Sequence, residues 1–524
     1  MNKWNRLREA GRRELAALHE AFRAPSQAQE KLLFDILARQ AGSRIGTAHE
    51  FGAIETVDAF RCNVPIRDYE AYRPFIQRVI EAEPAVLTTD EPVCFEQTGG
   101  SGGGRKLIPC TNAGLDAFRR AILAWIADLL DRDPAIAEGH AYFAISPATR
   151  SPRRAEGRLP VGLQSDAVYF GEELSGDVAA LMTGATSLSG IIDFGEWQTA
   201  TLAWLAATSD LTLISIWSPT FLSTLFDALE RDPEPVLRAL RDGGHGLPAM
   251  PDRAAILAAS LASGRVDTEH LWPRLRLISA WADAGSARFA ADLHRRFAHA
   301  AFQPKGLLAT EGVFTLPLHE AEFPLPALTS TFLEFMDEDG ALHLVDALEG
   351  GAGYQIVATT PGGLYRYRIG DRVCCEGHFE AGGSPVPMLT FAGRVTGTCD
   401  LVGEKLEEGF VAQCLAECHA HFAALVPSAT PDPHYVLLTD AGNAGELAQA
   451  ADRALMRNPG YEDARRIAQL GPVRAVRLDR PVEIYHEWRM ARGDRLGDVK
   501  MPVMFNDIGE IHEIWPQSRH RQVT

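Results

Sequence analysis

The sequence predicts an α/β (α+β) protein. A large N-terminal domain of mixed sheets flanked by helices carries a small antiparallel β-barrel subdomain, and a smaller α+β domain follows it. Three observations predict this. Helical and strand-like runs alternate up to about residue 310, period-two alternation then takes over, and the character shifts again after Gly393-Arg394. At 524 residues the chain is also too long for one ordinary core.

The first helix spans residues 5–22. Its Arg6, Arg8, Arg12 and Arg13 resemble a transit peptide, but the interleaved Glu9, Glu14 and Glu20 argue against one. Residues 93–97 and 106–109 read as two strands of a hairpin. Residues 112–130 place Leu115, Phe118, Ile122, Trp125, Ile126 and Leu129 at helical spacing. Residues 211–217 and 275–281 are β-branched or aromatic runs that each follow a helical stretch. Residues 354–359 and 364–369 alternate at period two around the turn Thr360-Pro361-Gly362-Gly363, and 388–391 reads as another strand. Beyond it come a helix over 408–422 and strands near 435–438 and 473–478. The expected domains are 1–394, with the antiparallel part over about 310–394, and a C-terminal domain over 395–524.

A net charge of −18 argues against nucleic acid and anionic membranes as partners. A polyphosphate site would have to gather its positive charge locally. Eight cysteines in a chain of this length make no disulfide framework, and no run approaches the ~18 apolar residues of a membrane span. A cytoplasmic monomer or weak dimer is expected. Cys414, Cys418, His419 and His421 are not read as a zinc site, because the cysteines share a helix face that the histidines do not.

The densest chemical signal is Thr98-Gly99-Gly100-Ser101-Gly102-Gly103-Gly104-Arg105-Lys106. Glycines let backbone N–H groups approach an anion, Thr98 and Ser101 add hydroxyls, and Arg105 and Lys106 add charge. It is not a Walker loop, since Arg105 follows Gly104 and Leu107 follows Lys106; nor is it a dinucleotide fingerprint, since Arg105 stands where glycine is needed. From the residues alone, an anion cradle and a hairpin tip without ligand both stay open.

The second signal is Tyr365-Arg366-Tyr367-Arg368-Ile369-Gly370-Asp371. Strand alternation puts Arg366 and Arg368 on one face, where an arginine can grip phosphate oxygens. Gly370 is expected to break the strand and deliver Asp371, a carboxylate able to accept from both ribose hydroxyls. A solvated strand face with a turn aspartate is the open alternative.

Together with Ala309-Thr310-Glu311, these segments resemble the Gretchen Hagen 3 family, the acyl acid–amido synthetases of the adenylate-forming superfamily. Supporting segments are Ile216-Trp217-Ser218-Pro219, Ile278-Ser279-Ala280-Trp281 and Leu401-Val402-Gly403-Glu404-Lys405-Leu406, so the likeness covers most of residues 90–505. The resemblance implies an adenylate-forming fold, ATP and Mg²⁺ as cofactors, and a carboxylic acid and an amine, expected to be an amino acid, as substrates. It implies that Thr98, Ser101 and Lys106 hold phosphates while Gly99, Gly100, Gly102 and Gly103 admit the loop backbone. Glu311 would hold Mg²⁺, with Thr310 beside the nucleotide or acyl carboxylate. Asp371 would bind the ribose with help from Arg394, and Lys500, in Gly497-Asp498-Val499-Lys500, would be the mobile catalytic lysine. Gly99 and Gly102 stand where relatives commonly carry hydroxyls, and Thr396 stands where the superfamily often has a hinge aspartate. Formation of an acyl-coenzyme A, and nucleotide binding without turnover, are the alternatives.

Overall fold

The computed structural model describes residues 3–98, 106–143, 154–155, 159–162, 166–188, 191, 193–283, 286–394, 398–402, 404–429, 432–494, 496, 499–505, 507–516 and 522–523. The glycine segment 99–105, with Gly99, Gly100, Ser101, Gly102 and Gly103, therefore lies outside the described residues. So do Thr396, Gly497 and Asp498.

The first helix, Lys3–Arg23, turns Trp4, Leu7, Leu15, Leu18 and Phe22 inward at helical spacing. It packs on the helix Asn112–Arg132, and Gly11 makes the close approach possible, since a Cβ there would collide with the Leu123 carbonyl. Two of its early arginines are held on the surface by that neighbour: Arg8 and Arg12 both pair with Asp131. Thr111 caps the partner helix by accepting from Gly114 N at 3.2 Å.

Residues 92–98 and 106–111 form the expected antiparallel hairpin, with Thr98 opposite Lys106. A four-stranded sheet runs in the order His140–Phe143, Leu211–Ser215, Leu277–Ala280, Ala301–Pro304, and its first two ladders are parallel. The β-branched and aliphatic residues of Leu211–Ser215 are buried throughout, as a parallel strand covered on both faces requires.

The antiparallel region is a five-stranded sheet in the order Leu342–His343, Phe332–Met336, Gly353–Thr359, Tyr367–Ala381, Ser384–Arg394. Among the described residues no ladder joins its two edge strands, so closure into the expected barrel is not seen. Its turn at 360–364 is closed by Thr360 N donating to Leu364 O at 2.8 Å.

Two expectations about the arginine strand are corrected. The strand begins at Tyr367, and Arg366 precedes it with φ of 49°, so Arg366 and Arg368 do not share a face. Arg366 is buried on Glu334, with Nε to Oε2 at 2.9 Å, and donates to the carbonyls of Arg61 (2.9 Å) and Val64 (2.8 Å). Nor does Gly370 end the strand. At φ of 84° it lies in a bulge where 368–372 pass opposite only 355–357, and the strand continues to Ala381.

In the C-terminal region the helix is Glu408–Ala416, shorter than expected, and Phe422 lies beyond it, its carbonyl accepting from Thr439 Oγ1 at 2.9 Å. A sheet of Ala423–Ser428, His434–Thr439, Arg474–Arg477 and Gln522–Val523 mixes antiparallel, parallel and antiparallel ladders. It buries Leu425, Tyr435 and Leu437 on one face, and Ala424, Val426 and Leu438 on the other. The chain groups into two compact units: Met1–Ser215 with Pro233–Ser279 and His299–Phe391, and Ile216–Asp232 with Ala280–Ala298 and Ala392–Thr524.

Removing Glu334 would strand the buried Arg366 charge and a second arginine, Arg61, whose Nε lies 2.9 Å from the same carboxylate. Glu334→Ala should cost about 3–5 kcal/mol of stability, measured by urea denaturation. A change below about 1 kcal/mol would show that the pair does not hold the strand.

Candidate active site

The first unit brings several of the sequence-derived residues to one group of neighbours, Tyr367, Tyr69 and Asp68. Glu311 occupies, with Thr310, the two-residue tip of a hairpin formed by Leu308–Ala309 and Gly312–Val313. Thr310 is exposed there and Glu311 half-buried. The Tyr367 hydroxyl hydrogen-bonds to the Glu311 carboxylate. Burial, reinforced by the charge of Glu311, holds that phenol well above its ordinary range, so it stays protonated and donates.

Tyr69 and Asp68 lie close enough to act on the same phenol. Tyr69 opens the helix Tyr69–Ile80, and Asp68 caps it by accepting from Ala71 N at 3.0 Å. Lys106, at the foot of the glycine hairpin, stands with Nζ 5.3 Å from the Tyr69 ring centroid. Leu107 N donates to the Tyr69 hydroxyl at 2.9 Å, which ties the hairpin to that helix start. Arg368, exposed, has Nη2 3.7 Å from Asp68 Oδ2. Lys106, Glu311 and Arg368 thus converge on Tyr367, Tyr69 and Asp68. Tyr367 stood within the arginine motif without a role of its own, and Tyr69 and Asp68 were not singled out; an N-cap before a helical run is the signal that could have found Asp68.

Asp371 lies four residues beyond Tyr367, inside the bulge, and is buried. Thr98 is placed by its backbone opposite Lys106. Arg394 and Lys500 belong to the second unit. Arg394 ends the strand Ser384–Arg394, and Lys500 is exposed with its ammonium 4.2 Å from the Trp281 ring centroid.

The hairpin that carries Glu311 is rooted from below. Leu307 N donates to Thr315 Oγ1 at 2.7 Å and Phe314 N to Leu307 O at 2.9 Å. Next to this root, Lys305 is buried, donates to Ser215 Oγ at 2.8 Å at the end of a parallel strand, and lies 5.0 Å from the Trp125 ring centroid. Burial pushes its ammonium down to about 7.

The donor set fits a magnesium-bound nucleotide. Among the described residues no cluster of three or more His, Cys, Asp or Glu side chains stands ready for a metal. An ion on Glu311 would take its remaining ligands from phosphate oxygens and water, which is how Mg²⁺ usually sits at a nucleotide. No described helix is long and apolar enough to cross a membrane.

Parallel strands beside an antiparallel sheet are a fold that solved ligases share. A solved 2-hydroxyisobutyryl-CoA ligase in its postadenylation state superposes with a TM-score of 0.56 at 10% identity, over 94% of this chain and 92% of that one. The chain belongs to the GH3 family. The family's N-terminal domain matches residues 14–301, more than half the chain, and its central domain matches 325–394. The solved GH3.15 acyl acid amido synthetase is similar with a TM-score of 0.82 at 18% identity, covering 97% of this chain and 96% of that one. Among curated relatives, the probable indole-3-acetic acid-amido synthetase GH3.7 of Oryza sativa subsp. japonica is 25% identical over 74% of this chain and 72% of its own length. The indole-3-acetic acid-amido synthetase GH3.8 of Oryza sativa subsp. indica is 23% identical over 94% and 90%.

The folded pKa of Lys305 lies below its unfolded value, so the unfolded chain binds the extra proton between about 7 and the ordinary lysine range. Stability should therefore rise with pH across that window. Lys305→Met should flatten the rise, as read from urea midpoints at several pH values. An unchanged slope would mean that Lys305 does not titrate in that window.

Proposed function

We propose that this protein is an ATP-dependent acyl acid–amido synthetase. It adenylates a carboxylic acid and transfers the acyl group to an amine, an amino acid being the expected acceptor. The observation that carries the proposal is that Lys106, Glu311 and Arg368 stand on Tyr69, Tyr367 and Asp68, three neighbouring groups, in a chain of the GH3 family. Relatives of this family bear names of amido synthetases, which supports the same reaction here.

In the first step a carboxylate oxygen attacks the α-phosphate and pyrophosphate leaves. Two anions meet, so the barrier falls only if fixed positive charge faces the phosphoryl oxygens. Lys106 and the loop 98–103, with Thr98 and Ser101, would supply that charge and the N–H donors. Arg368 would add a guanidinium at the rim. Asp371 would hold the ribose, aided by Arg394, and Thr310 would flank the nucleotide or acyl carboxylate. Mg²⁺, held in part by Glu311, would neutralise charge between the phosphates. The Tyr367 hydroxyl fixes the orientation of Glu311 for that role.

The second step needs an uncharged amine at the acyl carbon in a site that excludes water, since an acyl-adenylate hydrolyses readily. Residues 395–524 would form the mobile C-terminal domain whose rotation exchanges the two arrangements, with Lys500 reaching the α-phosphate and carboxylate in the first. We place the protein in the cytoplasm as a monomer or weak dimer.

An ATP–pyrophosphate exchange screen over aryl and aliphatic acids should reveal acid-dependent exchange. Asp371→Ala and Lys106→Ala should each abolish it, while Lys500→Ala should slow it by about 10²-fold or more. Near-normal exchange in Asp371→Ala or Lys106→Ala would overturn the site. Product analysis with amino acids and with coenzyme A then separates amide from thioester formation.

A further inference from the structure

We propose that Cys94 and Cys110 form a thiol–disulfide modification site, oxidised by low-molecular-weight disulfides, at the root of the glycine hairpin. The two residues are direct partners across the ladder of strands 92–98 and 106–111. Directly opposed residues point to the same face of an antiparallel pair. Both are free thiols, Cys94 buried and Cys110 partly exposed, and the Cys110 thiol donates to the Ile108 carbonyl at 3.8 Å.

The ladder also sets their separation. The Phe95 carbonyl accepts from Gly162 N at 2.7 Å, and Pro109, opposite Phe95, has no N–H to give. Phe95 and Pro109 are therefore a non-bonded pair, which makes the neighbouring Cys94–Cys110 pair a hydrogen-bonded one. Such pairs hold their Cα atoms about 5.5 Å apart. That lies within the roughly 4.4–6.8 Å that a disulfide spans. Closing the bond draws the two Cβ atoms in from about 5.5 Å, the wide end for such a pair, to the roughly 3.5–4.5 Å of a disulfide.

The partly exposed Cys110 reacts first. Its thiolate attacks one sulfur of a small disulfide RSSR, forming a mixed disulfide and releasing RS⁻. Cys94 loses its proton to solvent and attacks the Cys110 sulfur, expelling the second RS⁻. In sum, two cysteine thiols are oxidised, and RSSR is reduced to two RSH by the same two electrons. The Cys94 thiol beside it, followed by burial, raises the Cys110 thiol, so the attacking thiolate is its minor form and the exchange is slow. Each cysteine lies four residues along its strand from the Thr98–Lys106 pair that closes the loop, so the link would staple the hairpin just below its tip. Formation of the link does not depend on nucleotide binding, and it can fail without touching the proposed reaction.

The full chain is incubated with excess glutathione disulfide, alkylated, digested and analysed by mass spectrometry. The expected result is a peptide pair joined at Cys94 and Cys110, lighter by two hydrogens and separated again by dithiothreitol. Cys94→Ala should instead retain a glutathione adduct on Cys110. Cys110→Ser, at the more exposed position, should lose the link as well and serves where the buried substitution fails to fold. Exposed Cys62 is the internal control for reagent activity. The proposal is overturned if Cys62 carries glutathione while Cys94 and Cys110 are recovered separately alkylated.

Discussion

The buried ion pair between Arg366 and Glu334 is the constraint on which the first unit depends. Burying a guanidinium is tolerable only when its donors are met, and here a carboxylate and two backbone carbonyls meet them. To reach them the backbone adopts a left-handed conformation at Arg366, held by a donation from Arg366 N to Thr359 Oγ1 at 2.9 Å. Its neighbours are then committed. Tyr365 turns inward, with its amide donating to the Tyr72 hydroxyl and its own hydroxyl to Leu87 O. Tyr367 begins the strand with its phenol beside Glu311.

From that start the site assembles out of segments far apart in the chain. The start of the long strand is paired on its free side by Arg67, which exchanges backbone bonds with Arg366 and Arg368. This brings Asp68 and Tyr69 alongside. The helix that begins there presents one ring to Lys106 and one hydroxyl to Leu107, so the hairpin of 92–98 and 106–111 is fastened at Lys106 and Leu107. Backbone groups do most of the fastening, which frees Lys106 and Arg368 to offer charge. In a chain with a net charge of −18 those local cations matter, because a polyanion meets little attraction elsewhere.

Much of this was legible in the residues. The helix over 112–130 and the hairpin around the glycine segment stand where periodicity put them, since both depend on neighbours in sequence. The glycine, glutamate and arginine-strand motifs also pointed to the family that the chain belongs to. Periodicity failed at Arg366. Alternation from Leu364 assumes a strand that starts before the bulge, and it cannot anticipate a carboxylate on another strand that makes burial of the arginine worthwhile. It failed again at Gly370, where the strand absorbs the glycine as a bulge because the ladder with Gly353–Thr359 resumes beyond it.

The sequence by itself therefore determined the inventory: which segments are helix or strand, which residues carry charge and hydroxyls, and the family they mark. Tertiary structure alone decided which of two alternating arginines faces solvent and which lies in the core, and that Tyr367, Tyr69 and Asp68 are the groups around which Lys106, Glu311 and Arg368 collect. The reason is physical. Local spacing governs which face of an element a side chain takes, but the cost of burying a charge is set by partners that arrive from elsewhere in the chain.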